Sequence, residues 1–166
     1  MSLDDEYLPA LVEILRRSPT HLHLLVGTGD RRRARTYLHV HDVLPQLRFL
    51  VQPMGEAEYL RLIDLYIGSF PNTDVHSILA AMAAGKPVIV RAYPHDSRSN
   101  HGAELVGLGA MIASTTGDFV DRACQMIRDE DYRDALGQAA HLRFRKEFTP
   151  DRLGAEDLDF LNQLLL

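Results

Sequence analysis

The chain has 166 residues, 46% hydrophobic and 25% charged, with 18 Lys and Arg against 23 Asp and Glu for a net charge of −5. That length suits one domain with a sizeable core, the apolar share excludes a disordered chain, and the acidic balance argues against nucleic acid, whose phosphates call for a basic surface. The one local exception is Arg31-Arg32-Arg33 with Arg35. A single cysteine, Cys124, excludes an internal disulfide. No apolar run is long enough to span a bilayer and no signal-like segment opens the chain, so a soluble cytoplasmic protein is expected.

From Asp4 to Arg17 the apolar residues Leu8, Leu11, Val12 and Leu15 recur at helical spacing, with acids at the start and arginines at the end as the helix dipole favours. The β-rich run His21–Val26 stops at Gly27-Thr28-Gly29, and Asp30 offers an N-cap to a helix from about Arg31 to Leu44. A strand at Arg48–Val51, a helix at Glu56–Ile63 and a strand at Leu65–Ile67 follow. A helix over Asp74–Ala84 then carries the stripe Val75, Ile78, Leu79 and Met82, and Gly85 stops it before a strand at Pro87–Val90. A polar loop, a short helix to Gly107, a strand at Ala110–Ala113 and a helical last third complete the chain. Cys124 falls on an apolar helix position, and the acidic run Asp129-Glu130-Asp131 reads as a solvated helix junction.

Alternating strands and helices predict one α/β domain over residues 1–166. Its centre is a Rossmann-like parallel sheet of about five strands, with helices on both faces. Ligands of such sheets bind outside the carboxyl ends of the strands, so the loops after Val26, Val51, Ile67, Val90 and Ala113 are where function belongs.

Gly27 and Gly29 follow a strand and open a helix, an arrangement suited either to a phosphate or to a simple tight turn. The stretch Ser69–Ser77 is richer. Asn72, Thr73 and Ser77 are small hydrogen-bonding side chains beside the free amides of a helix start, which fits a diphosphate, the plainer alternative being that Thr73 or Asp74 only caps the helix. The polar loop Arg91–Gly102, with His95, Asn100 and His101, is expected to project into the same crevice, the plainer alternative being an ordinary mobile surface loop. Neither His21/His23 nor His39/His41 has metal-site spacing, and no nucleophilic triad is evident, so no metal or cofactor is implied and no catalytic residue is assigned.

The stretch Leu65-Tyr66-Ile67-Gly68-Ser69-Phe70-Pro71-Asn72-Thr73, followed by Ala80-Ala81-Met82-Ala83-Ala84-Gly85-Lys86-Pro87-Val88-Ile89-Val90, resembles the donor-binding signature of GT-B glycosyltransferases. His101–Gly109, Met111-Ile112-Ala113 and the helix opening Asp118-Phe119-Val120 resemble the O-GlcNAc-transferase-like and bacterial protein N-glycosyltransferase branch. The resemblance implies half of a GT-B fold that binds a nucleoside diphosphate sugar, most naturally a UDP-sugar. By the resemblance the diphosphate would rest on Val75, His76 and Ser77, and the reading of the loops above sets Gly27, Gly29, Asn72, Thr73, His95, Asn100 and His101 around it. It also implies a longer protein, in which an N-terminal acceptor-binding domain and an extra strand with a basic phosphate loop precede the first helix. Alone, this half is expected to bind a nucleotide without turning over.

Two positions depart from the pattern: Ala80 stands where a ribose-holding carboxylate is usual, and Asn72 where retaining relatives carry another. The departure at Ala80 favours an alternative, a non-catalytic GT-B-like module for binding or assembly. An epimerase or phosphorylase half shares the architecture, but its distinguishing acids are not seen. The leucines Leu158, Leu161, Leu164 and Leu165, together with an uncovered sheet edge, predict self-association.

Overall fold

Helix α1 (Tyr7–Arg17) buries Leu8, Leu11, Val12 and Leu15, and also Tyr7, Ala10 and Ile14. The buried face is wider than the sequence stripe because the helix packs against two neighbours, α2 (Arg31–Val40) and α6 (Thr116–Arg128). The computed structural model describes residues 6–21, 23–25, 31–49, 56–71, 73–93 and 101–148. The expected N-cap Asp30 and the leucines from 158 to 165 lie outside them.

The remaining elements are β1 (His23–Leu25), β2 (Leu47–Phe49), α3 (Glu56–Leu62), β3 (Tyr66–Ile67), α4 (Val75–Ala83), β4 (Val88–Arg91), α5 (His101–Val106), β5 (Ile112–Ala113) and α7 (Glu130–Glu147). All pairing is parallel. β1 lies beside β2 with His23 opposite Leu47, while β3, β4 and β5 form a second sheet in that order, with Tyr66 opposite Val88 and Val90 opposite Ile112. The expected α/β architecture with parallel strands is therefore present, but the single five-stranded sheet is not: among the described residues the strands divide into sheets of two and three. The physical reason is that β1 hydrogen-bonds only to β2, and β3 only to β4, among those residues. β5 is also shorter than expected, because Gly109–Met111 wind into a 3-10 turn ahead of it.

Val88, Ile89 and Val90 of β4 are fully buried, which a strand achieves only when covered on both faces. β4 touches α4, α5 and α6; α1 packs on α6, and α4 packs on α5 and α7. At the carboxyl edge Phe70 is enclosed by aromatic neighbours, edge-on to Tyr7 at 5.3 Å and to Phe119 at 5.0 Å between centroids. Burial pushes the Tyr7 phenol well above its ordinary pKa, so it stays neutral. Arg17 pairs with Asp121 at 2.8 Å and ties the end of α1 to α6. The Gln46 amide lies 3.0 Å from the carbonyls of Leu15 and Ser18, fastening the turn after α1. Cys124 is buried, and Asp129 both ends α6 and caps α7 through the Tyr132 amide at 2.9 Å. No helix among the described residues is long and apolar enough to cross a membrane.

Gly85 stops α4 in the left-handed conformation, φ 69°, and its carbonyl is met by Gly137 of α7. A Cβ on Gly137 would lie 2.3 Å from that backbone oxygen. Alanine normally improves a helix interior by about 1 kcal/mol over glycine. Here overpacking against backbone, costing about 1–3 kcal/mol, outweighs the gain. Gly137→Ala is therefore expected to lower stability in urea unfolding; a stabilised variant would contradict the packing.

Candidate functional site at the carboxyl edge of the sheet

The turn between β3 and α4 is built by close contacts. The Gly68 amide donates to the Ile89 carbonyl at 2.9 Å, and a Cβ on Gly68 would stand 3.1 Å from the same oxygen, so the turn leaves the sheet flush against β4. The Thr73 hydroxyl donates to the Ser69 carbonyl at 2.9 Å and closes the loop. The Thr73 side chain in turn sits against Gly102, where an added Cβ would meet its methyl at 3.2 Å and the Ile78 side chain at 3.1 Å. That contact brings the start of α5, with His101, onto the start of α4.

Asp74 is the N-cap of α4. Its carboxylate accepts from the His76 amide at 3.1 Å and from the Ser77 hydroxyl at 2.7 Å. The Tyr59 hydroxyl reaches the Ser77 oxygen at 3.5 Å. His76 and His101 are exposed, and His101 lies 3.9 Å from Glu104, close enough to pair when protonated. The structure thus brings together Thr73, His76 and Ser77 on one helix start, with His101 on the neighbouring one. It also gives Asp74 the capping role that the plainer sequence reading allowed for Thr73 or Asp74, with the Ser77 hydroxyl bonded to that cap. Gly27, Gly29, Asn72, His95 and Asn100 lie outside the described residues.

Sequence reasoning named Phe70 and Arg91 only as loop residues and assigned Glu6 and Thr116 no role, yet these four meet at the same edge of the sheet. Arg91 closes β4, its guanidinium pairs with Glu6, and its central carbon stands 5.1 Å from the Phe70 ring centroid and 4.5 Å from that of Tyr93. Glu6 also accepts from the Thr116 hydroxyl at 3.3 Å, at the first residue of α6. The available signal was a charge ending the otherwise apolar run Val88-Ile89-Val90. Below it, Thr115 caps α6 through the Asp118 amide at 3.1 Å. The Asp118 carboxylate accepts from the Ser114 amide at 3.1 Å and from Arg122 at 2.6 Å. No group of three or more His, Cys, Asp or Glu side chains suited to a metal ion occurs among the described residues.

Compared with protein-family models and with curated proteins, the chain gives no match. The site therefore has to be read from its own chemistry.

The hydrogen bond from Arg122 holds the Asp118 carboxyl below the ordinary aspartate range, and Arg91 does the same to Glu6. For a carboxyl whose folded pKa is depressed, the stability it contributes is complete above the unfolded value and is lost as pH falls through the folded one. The thermal midpoint is thus expected to drop on acidification below about pH 5. Asp118→Asn should flatten that drop while lowering the midpoint at neutral pH; an unchanged acid limb would contradict the assignment.

Proposed function

We propose that the chain is the donor-binding half of a GT-B-type glycosyltransferase of the O-GlcNAc-transferase-like or bacterial protein N-glycosyltransferase branch. It would act in the cytoplasm and hold a nucleoside diphosphate sugar, a UDP-sugar first among them. The observation that carries this reading is the division of the strands into two parallel wings, β2–β1 and β3–β4–β5. In the doubly wound order 3-2-1-4-5-6 the first strand lies between the second and the fourth. If the strands here are the second to the sixth, the wings would be the two sides of one Rossmann-like sheet, with the place of the first strand between β1 and β3. That place would be the topological switch point, where open α/β sheets bind their ligands. The convergence of the α4 and α5 starts through Thr73 and Gly102, also at a strand carboxyl end, supports the same reading.

In the reaction an acceptor hydroxyl or amide attacks the anomeric carbon, a bond to the acceptor forms, and the bond from that carbon to the diphosphate oxygen breaks. This chain's part is to hold the departing diphosphate with donors fixed in advance. The α4 amides, Thr73, His76 and Ser77 serve that role, with His101 alongside. Gly27, Gly29, Asn72, His95 and Asn100 join them on the strength of their sequence position in the loops that follow the strands. An acceptor-binding domain outside these 166 residues supplies the acceptor and its base, and no metal is needed where amides and cationic side chains take the charge.

A second reading, a GT-B-like module that binds or assembles without catalysis, is favoured by Ala80. Its side chain is fully buried, and the sequence resemblance sets it where a ribose-holding carboxylate is usual.

Calorimetric titration with UDP, GDP and UDP-GlcNAc tests the donor reading. Saturable binding of one of them is expected, weakened by about tenfold or more when His76 and Ser77 are both changed to Ala, as the loss of hydrogen bonds to a charged group implies. Absence of binding at millimolar ligand would contradict it.

A further inference from the structure

Among the described residues at this edge, Arg91 has an environment that neither capping nor core packing explains. Its side chain is 14% exposed, which is unusual for a guanidinium, and the faces of Phe70 and Tyr93 hold the group in place. One terminal nitrogen donates to the Glu6 carboxylate. Nε is buried and has no acceptor among the described residues. A buried donor without an acceptor is costly, so the carboxylate meets only part of what this cation offers. Glu6 is also a replaceable partner: its side chain is 56% exposed, and an ion pair with an exposed member adds little stability. It is held between two helix starts, that of α1, which it precedes, and that of α6, whose Thr116 hydroxyl donates to it at 3.3 Å. An anion is favoured in such a position.

We infer that Arg91 and Thr116 form a binding site for a phosphate-type oxyanion, occupied in the free protein by the Glu6 carboxylate, which the incoming anion displaces. A pyrophosphate group fits the donor set better than a carboxylate. It carries more charge and more acceptor oxygens, so it meets the guanidinium's terminal nitrogens and the Thr116 hydroxyl together. The inference rests on the donor-site reading and deepens it, since the nucleotide's diphosphate is the natural occupant, and it adds Arg91 and Thr116 to the α4 turn as contacts for that group. Glu6 is then an internal competitor that keeps affinity low until a multivalent anion arrives.

The test uses inorganic pyrophosphate as the probe, titrated calorimetrically into the intact chain and its variants at neutral pH and constant ionic strength. Glu6→Gln removes the competitor without removing the receptor and is expected to bind pyrophosphate roughly fivefold more tightly than the parent, or better. Arg91→Gln is expected to abolish binding. Unchanged or weaker binding by Glu6→Gln overturns the inference even if Arg91→Gln fails to fold, and so does full affinity in a folded Arg91→Gln. UDP in the same series separates the two readings. Tightening for pyrophosphate with no added affinity for UDP keeps the anion site and removes the nucleotide. UDP binding that ignores both substitutions keeps the nucleotide and removes this site.

Discussion

The Phe70 ring joins the elements that meet at the carboxyl edge of β3 and β4. It stands at the end of the turn leaving β3, edge-on to Tyr7 of α1 and Phe119 of α6, with the Arg91 guanidinium on it from β4. One buried aromatic thus fixes the start of the turn to α4, the packing of two helices and the position of a cation. Aromatic contacts of this kind add about 0.5–1.5 kcal/mol each beyond the area they bury. The site at the carboxyl edge is therefore rigid where it leaves the sheet, and the groups after Phe70 are held by local hydrogen bonds from Thr73 and Asp74.

Charge arrangement gives this edge its character. Helix starts at α4 and α6 concentrate unpaired amides, and each is answered by an acid from this chain, Asp74 at α4, Asp118 and Glu6 at α6. Asp74 and Asp118 are short and local, so they behave as caps. Glu6 is different: it comes from 85 residues before Arg91 and reaches across from another helix. Such a long-range carboxylate on a stacked arginine is what an anion site looks like when the protein supplies its own anion.

Much of this was legible in the sequence. The stripe of α1, the strand and helix order, the stop at Gly85 and the buried Cys124 follow from periodicity and turn chemistry, which act over a few residues. What was hidden is what depends on distant partners. Gly137 looks like an ordinary helix glycine until the Gly85 carbonyl is set against it. Arg91 looks like the first residue of a polar loop until Glu6, Phe70 and Tyr93 surround it. The sheet was anticipated as one, whereas among the described residues the strands pair in groups of two and three, because periodicity reveals strands but not which edges meet. At the candidate site, Thr73 and Ser77 were selected from their position at a helix start and His76 from the resemblance, and all three do fall at the start of α4. That Ser77 spends its hydroxyl on Asp74 was not visible, since two adjacent polar groups can equally face a ligand or each other.

The central claim is that nucleotide binding occurs at the carboxyl edge of β3 and β4. Amide chemical shifts of the isotopically labelled chain, followed during titration with UDP, test it most directly. The account predicts saturable shifts at Gly68, Thr73, His76, Ser77, Arg91 and Gly102, with α7 silent. Shifts confined to the α6–α7 junction around Asp129, or none at saturating nucleotide, would contradict it.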